Sequence, residues 1–238
     1  QSEKEIKIIN KLKDKIEHNK KINELEIIIF ACYVPLNSSK IITNKLLNYK
    51  SVNIIFNDLI DIQIKEPLKE IELAKSIQSL DKIIDPVSIK VKEQYEENPY
   101  PRWRYSSQIP SKKFSNILNN EIKPNKVDYN IDFNNPDILI AGCGTGNHSI
   151  SASRYEDAKI LAVDLSLKSL AYAKRKTNNL GLKNIEYLQA DILHLKNLNK
   201  KFDIIECAGT LHHMEKPLEG LKVLLDLLKP HGFLKIGL

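Results

Sequence analysis

The residues most able to do chemistry begin at a glycine turn. Ile138-Leu139-Ile140-Ala141 is an apolar run with the texture of a buried strand, and it leads into Gly142-Cys143-Gly144-Thr145-Gly146 and then Asn147-His148. Glycines at alternate positions let the backbone turn sharply and let a ligand lie against the main chain. A helix starting there offers free N–H groups to an anion. The next apolar run, Ile160-Leu161-Ala162-Val163, ends on Asp164. An acid about 20 residues beyond such a turn is placed to take both hydroxyls of a ribose. A third run is followed by Gln189-Ala190-Asp191-Ile192, where the acid can accept from an adenine amino group. Either acid alone reads as a loop residue or a helix cap. All three features in order, each at the carboxyl end of a strand, describe a nucleoside site on the ligand-binding edge of a parallel sheet.

The elements that must position them follow from the hydrophobic pattern. From residue 136 onward strands alternate with helices: strand 137–141, helix 148–155, strand 160–163, helix 167–180, strand 185–188, strand 202–207, helix 217–228 and a final strand 233–238. Such alternation predicts a parallel sheet with right-handed crossovers. Residues 1–105 read as an α-helical N-terminal region. Ile6, Ile9, Leu12, Ile16 and Ile22 recur at helical spacing in a first helix over 2–35. One or two short helices follow over 39–60, then helices over 66–80 and from Asp85-Pro86 onward, where Asp caps and Pro suits the first turn. Asn98-Pro99-Tyr100-Pro101-Arg102-Trp103 cannot be helix interior, and 106–135 reads as a polar connector with a short helix near 114–118.

The order of motifs resembles the class I methyltransferases that use S-adenosylmethionine (SAM), over 136–238, and within them the small-molecule type. Phe202-Asp203-Ile204-Ile205-Glu206-Cys207-Ala208-Gly209-Thr210-Leu211-His212-His213-Met214 and Leu227-Leu228-Lys229-Pro230-His231-Gly232-Phe233 carry the later part of the likeness. The resemblance implies a Rossmann-like, doubly wound, mainly parallel α/β sheet behind the helical segment. It implies SAM as cofactor and methyl transfer to an acceptor, with a small molecule expected first and a protein side chain second. The cofactor wall it implies comprises Ala141, Gly142, Cys143, Gly144, Gly146 and Asn147 of the turn. Asp164, Leu165, Ala190, Asp191, Ile192, Cys207 and Ala208 complete it. His212 and His213 follow the fourth strand of the domain and are the candidate bases. Tyr95, Tyr100, Arg102 and Trp103 form a candidate lid, since an aromatic ring near a sulfonium is favourable.

Two departures from the family pattern stand out. The family often has an acid two residues before the first glycine, where this chain has Ile140. The sequence also stops directly after the final strand, where the family fold has two further strands and a helix, so the domain is expected to be incomplete at the C-terminus and the chain a fragment of a longer protein. A nicotinamide-dependent oxidoreductase is disfavoured, because it wants G-x-G-x-x-G and here the third glycine, Gly146, comes one residue early. A non-catalytic SAM sensor, with the N-terminal helices binding a protein partner, is the alternative of a different class.

The totals narrow the partners. Lysines and arginines number 36 against 30 acids, a net charge of +6 with a pI near 9.0, yet the two signs are mixed and no dense basic stripe appears, which disfavours nucleic acid. Three cysteines without C-x-x-C spacing argue against disulfides and a zinc site and fit the cytoplasm. The most apolar run, 27–34, is too short to cross a bilayer.

Overall fold

A computed structural model describes residues 2–106, 110–125 and 133–237. Parts of the 106–135 connector, and Leu238 at the end of the final strand, lie outside the described residues. The chain divides into two units, Gln1–Ile71 and Glu72–Leu238.

The first unit is helical. It holds α1 (Glu3–His18), α2 (Glu24–Ala31), α3 (Lys40–Leu46), α4 (Ile54–Ile60) and the start of α5 (Glu66–Ala74). The long first helix expected over 2–35 is two helices. Asn23 accepts from the Glu26 N–H and starts α2 afresh, while Lys45 Nζ donates to the Ile16 and Asn19 carbonyls at the end of α1. A capping box of Ser2 and Glu5 opens α1. Ile9, Ile16, Phe30, Leu46 and Ile60 meet in the core of this unit.

The second unit is built on a sheet. After α5 come β1 (Gln78–Ser79), α6 (Pro86–Glu97), α7 (Phe114–Glu121), β2 (Asp137–Ala141), α8 (Asn147–Ala152), β3 (Lys159–Asp164), α9 (Leu167–Asn179), β4 (Ile185–Gln189), β5 (Phe202–Ala208), α10 (Pro217–Asp226) and β6 (Leu228–Gly237). Among the described residues the sheet has six strands in the order β1-β4-β3-β2-β5-β6, and every pair in it is parallel. β2 is apolar on both faces because both are covered. Ile138 and Ile140 face one cluster with Leu170 and Ala173 of α9; Leu139 and Ala141 face another with Leu224 of α10.

Three boundaries differ from the sequence pattern. The helix expected over 66–80 ends at Ala74, and Gln78–Ser79 instead extend the sheet beside β4, with the Leu80 N–H donating to the Gln189 carbonyl. An open sheet edge offers backbone partners that helical periodicity cannot reveal. Residues 72–105, grouped by their helical pattern with the N-terminal region, fall in the sheet unit. β6 begins at Leu228 rather than 233, because α10 stops at Asp226.

From β2 the chain winds outward through β3 and β4. It then returns to β5 on the other side of β2. That reversal opens a crevice at the carboxyl ends of β2 and β5, the place where parallel sheets bind ligands. No helix among the described residues is long and apolar enough to cross a membrane.

Candidate functional site

The glycine turn fills that crevice from below. Gly142, Gly144 and Gly146 all have positive φ, at 76°, 52° and 89°. At two of them a side chain is also excluded by space. A Cβ at Gly142 would lie 2.0 Å from Thr210 Oγ1, and one at Gly146 would lie 2.5 Å from Ala173 Cβ. Gly144 differs. The nearest atom a Cβ there would meet is the Tyr100 carbonyl oxygen, at 4.0 Å. Its bare backbone is therefore a floor against which a ligand can lie.

Above it is a cavity of about 480 Å³. Gly142, Cys143, Gly144 and Asn147 of the turn line it. Asp164 and Leu165 enter from the end of β3, Ala190, Asp191 and Ile192 from beyond β4, and Ala208 from β5. Tyr95, Tyr100 and His213 complete the set anticipated from sequence that reaches it. Ala141, Gly146 and Cys207 do not reach the wall: Ala141 and Cys207 point into the buried core, and Gly146 packs on α9. His212 also lies off the wall. The short 3₁₀ turn Leu211–His213 sends successive side chains in different directions, though the two imidazoles stay 4.1 Å apart.

Arg102 and Trp103 are not wall residues either. Arg102 lies over the Tyr172 ring, and Trp103 packs edge-on against that ring at 5.9 Å. They pin the segment that carries Tyr100 to the turn and to α9. The Trp103 indole N–H donates to the Thr145 carbonyl at 3.1 Å, the Thr145 hydroxyl donates to the Pro101 carbonyl at 2.7 Å, and the Tyr172 hydroxyl donates to the Trp103 carbonyl. At the other end of the segment, Glu96 accepts from the Leu167 N–H at the start of α9.

The two acids are held differently. Asp164 accepts from the Gly144 N–H at 2.8 Å and the Ser166 N–H at 3.0 Å. Burial raises its pKa above the usual range, and those backbone donors only partly offset this. Asp191 is buried and caps the following 3₁₀ turn through Oδ1, which accepts from the Leu193 N–H. Its Oδ2 is buried with no hydrogen-bond partner. A buried acceptor without a donor is costly, so a ligand N–H there would be stabilising. An adenine amino group at Asp191, a ribose diol at Asp164 and a chain lying over Gly144 fit the donor and acceptor pattern of SAM.

His148 reaches the wall together with Thr145, Ser151, Thr210 and Met214, and none of these was singled out in the sequence. The available signal was helical: Asn147, His148 and Ser151 share one face at spacings of three and four. Behind His148 lies Glu206, which is 1% exposed and accepts from His148 Nε2 at 2.6 Å. Tyr155 donates its hydroxyl to the same carboxylate, and Arg154 lies at 3.2 Å. Burial opposes the charge on Glu206, but the bonds from His148 and Tyr155 and the charge of Arg154 outweigh it and hold the carboxyl down at about 2. The cysteines behave in the opposite way. Burial pushes Cys143 well up and Cys207 to about 11, so neither is a thiolate nucleophile at neutral pH.

Residues 138–232 match the family model described as a methyltransferase domain. An uncharacterized protein of Synechococcus is 39% identical over 103 residues, 42% of this chain and 25% of that protein. The tRNA U34 carboxymethyltransferase of Nautilia profundicola is 33% identical over 196 residues, 80% of this chain and 57% of that enzyme. The chain thus spans between a quarter and just over half the length of these two relatives. Among solved structures, a SAM-dependent methyltransferase from Clostridium acetobutylicum is 32% identical with a TM-score of 0.37, covering 41% of this chain and 40% of its own. The glycine turn, the two strand-end acids and the central parallel strands all lie within, or at the edge of, the residues that match this methyltransferase domain.

Proposed function

We propose that the protein is an enzyme that transfers a methyl group from SAM to a small-molecule acceptor. The observation that carries the reading is the buried, partnerless Oδ2 of Asp191, a residue that lines the same cavity as Asp164 and the open backbone of Gly144. Bound SAM supplies an electrophilic methyl group on a sulfonium. This chain's residues hold the donor, orient the acceptor in line and exclude water. His213, the candidate base that reaches the wall, takes a proton where the acceptor must lose one. A cavity of about 480 Å³ favours a small acceptor over a folded macromolecule.

A second reading takes a tRNA base as acceptor. It is favoured by the Nautilia relative, whose name places its action on tRNA U34, and by the net charge of +6. Calorimetric titration with SAM, then incubation with methyl-labelled SAM and either a small-metabolite extract or bulk tRNA, separates the two. Label in a small product is expected; label in tRNA would support the second reading, and SAM binding without transfer to either would favour a sensor. The free cysteines support a cytoplasmic location in this reading. The N-terminal helices, with Leu25, Ile28 and Ile29 exposed on α2, serve as the surface for a protein partner.

In this proposal the segment carrying Tyr95 and Tyr100 is a lid, and Trp103 is its clamp rather than its face. Trp103→Ala removes the bond to Thr145 and the packing on Tyr172, and is expected to weaken SAM binding about fivefold, as the loss of about 1 kcal/mol implies. Unchanged affinity in the calorimeter would remove the lid from the account.

A further inference from the structure

The parallel strands order the site. Neighbouring strands lie about 4.8 Å apart, so the ends of β4, β3, β2 and β5 form a row: Asp191, Asp164, the glycine turn, then the end of β5. If adenine lies at Asp191 and ribose at Asp164, the methionyl end of SAM lies where β2 meets β5. The position in β2 that could present an acid there is Ile140, which is fully buried. Its partner in register across the sheet is Glu206. Paired residues of parallel strands point to the same face, so Glu206 stands beside the place where Ile140 offers no charge.

Glu206 does not reach the cavity, but His148 does. Nε2 of His148 is taken by the carboxylate, and the ring is 24% exposed. Among the described residues its other nitrogen, Nδ1, has no hydrogen-bond partner. A carboxylate that accepts from one imidazole nitrogen fixes the proton there and leaves a lone pair on the other. Tyr155 and Arg154 hold the carboxylate in turn.

We propose that Glu206, acting through His148, holds the methionyl ammonium of the cofactor: Glu206 fixes the Nε2–H tautomer, and Nδ1 accepts from the ammonium. His148 is then a cofactor-binding residue, and Glu206 a positioning residue that replaces an acid at position 140. The pair makes the site selective for a cofactor with a free amino group. This rests on the reading of the cavity as a SAM site.

Calorimetric titration of the whole chain with S-adenosylhomocysteine, and with its analogue lacking the amino group, tests it. His148→Ala is expected to lower affinity for S-adenosylhomocysteine about tenfold, the loss of one charge-assisted hydrogen bond, and to leave the deaminated analogue within about twofold of its wild-type affinity. Glu206→Gln should act in the same direction. His148 is partly exposed on a helix, so its variant keeps the fold even if the buried Glu206 variant does not. Unchanged affinity for S-adenosylhomocysteine, or equal weakening of both probes by His148→Ala, overturns the assignment while the SAM reading stands. Wild-type protein that binds neither probe overturns the SAM reading itself, and the assignment with it.

Discussion

Asp164→Ala is expected to weaken SAM binding about a hundredfold. A ribose diol offers two donors, and hydrogen bonds to a charged acceptor contribute about 1.5–3 kcal/mol each. Losing both, with part of the loss recovered by water, leaves about 3 kcal/mol, or a factor of about a hundred. The same carboxylate anchors the turn through the Gly144 N–H, so the alanine variant also loosens the floor of the site. Asp164→Asn separates the two effects: one amide oxygen can still accept from Gly144, but it cannot take both hydroxyls. Acidity should mimic the mutation. Burial raises the Asp164 pKa above the usual aspartate value of 3.8, so its charge, and with it SAM affinity, is lost at a higher pH than for an exposed aspartate. Calorimetry across mildly acidic buffers reads this directly. A loss of less than about threefold in the alanine variant, too small for two charge-assisted bonds, would place the ribose elsewhere.

The sheet was legible where its central strands, β2 and β5, are buried on both faces. Residues 137–141 read as a continuous apolar run, and the structure assigns the same five residues to β2. β1 was not legible, since two polar residues, Gln78 and Ser79, carry no period of their own and become a strand only because the edge of β4 accepts them. The break between α1 and α2 was hidden for a related reason. Apolar residues continue across it, and only Asn23 marks the new start.

The site was legible where glycine or an acid marks a strand end. Gly142, Gly144, Asp164 and Asp191 all sit at the ends of strands and all line one cavity. It was not legible where a role depends on a partner far along the chain. His148 and Glu206 are 58 residues apart and meet only because β2 pairs with β5 and α8 follows β2. Trp103 and Thr145 meet across 42 residues, so an aromatic that reads as a lid face in sequence instead pins the segment carrying Tyr100 to the glycine turn. The two adjacent histidines were indistinguishable in sequence, and the 3₁₀ turn that carries them brings only His213 to the wall.

The buried cluster around Glu206 should set the acid stability of the sheet unit. Its carboxyl is lowered from 4.5 to about 2, so the folded state holds the charged form more tightly than the unfolded chain does. That stabilisation is fully present above pH 4.5, the unfolded value, and is lost as the pH falls toward 2. A shift of this size corresponds to about 3 kcal/mol. Glu206→Gln is neutral at every pH and should therefore cost about 3 kcal/mol near neutrality and nearly nothing at the acidic end. In thermal unfolding this reads as a fall in Tm of about 10 °C at pH 7 for a unit of this size. The Arg154 guanidinium keeps Glu121 at 3.0 Å in the variant, which limits the cost of leaving it beside an uncharged partner. Curves for the two proteins should converge as the pH drops from 4.5 to 2. Parallel curves across that window would mean that the Glu206 charge contributes no net stability, and that the cluster serves the cavity alone.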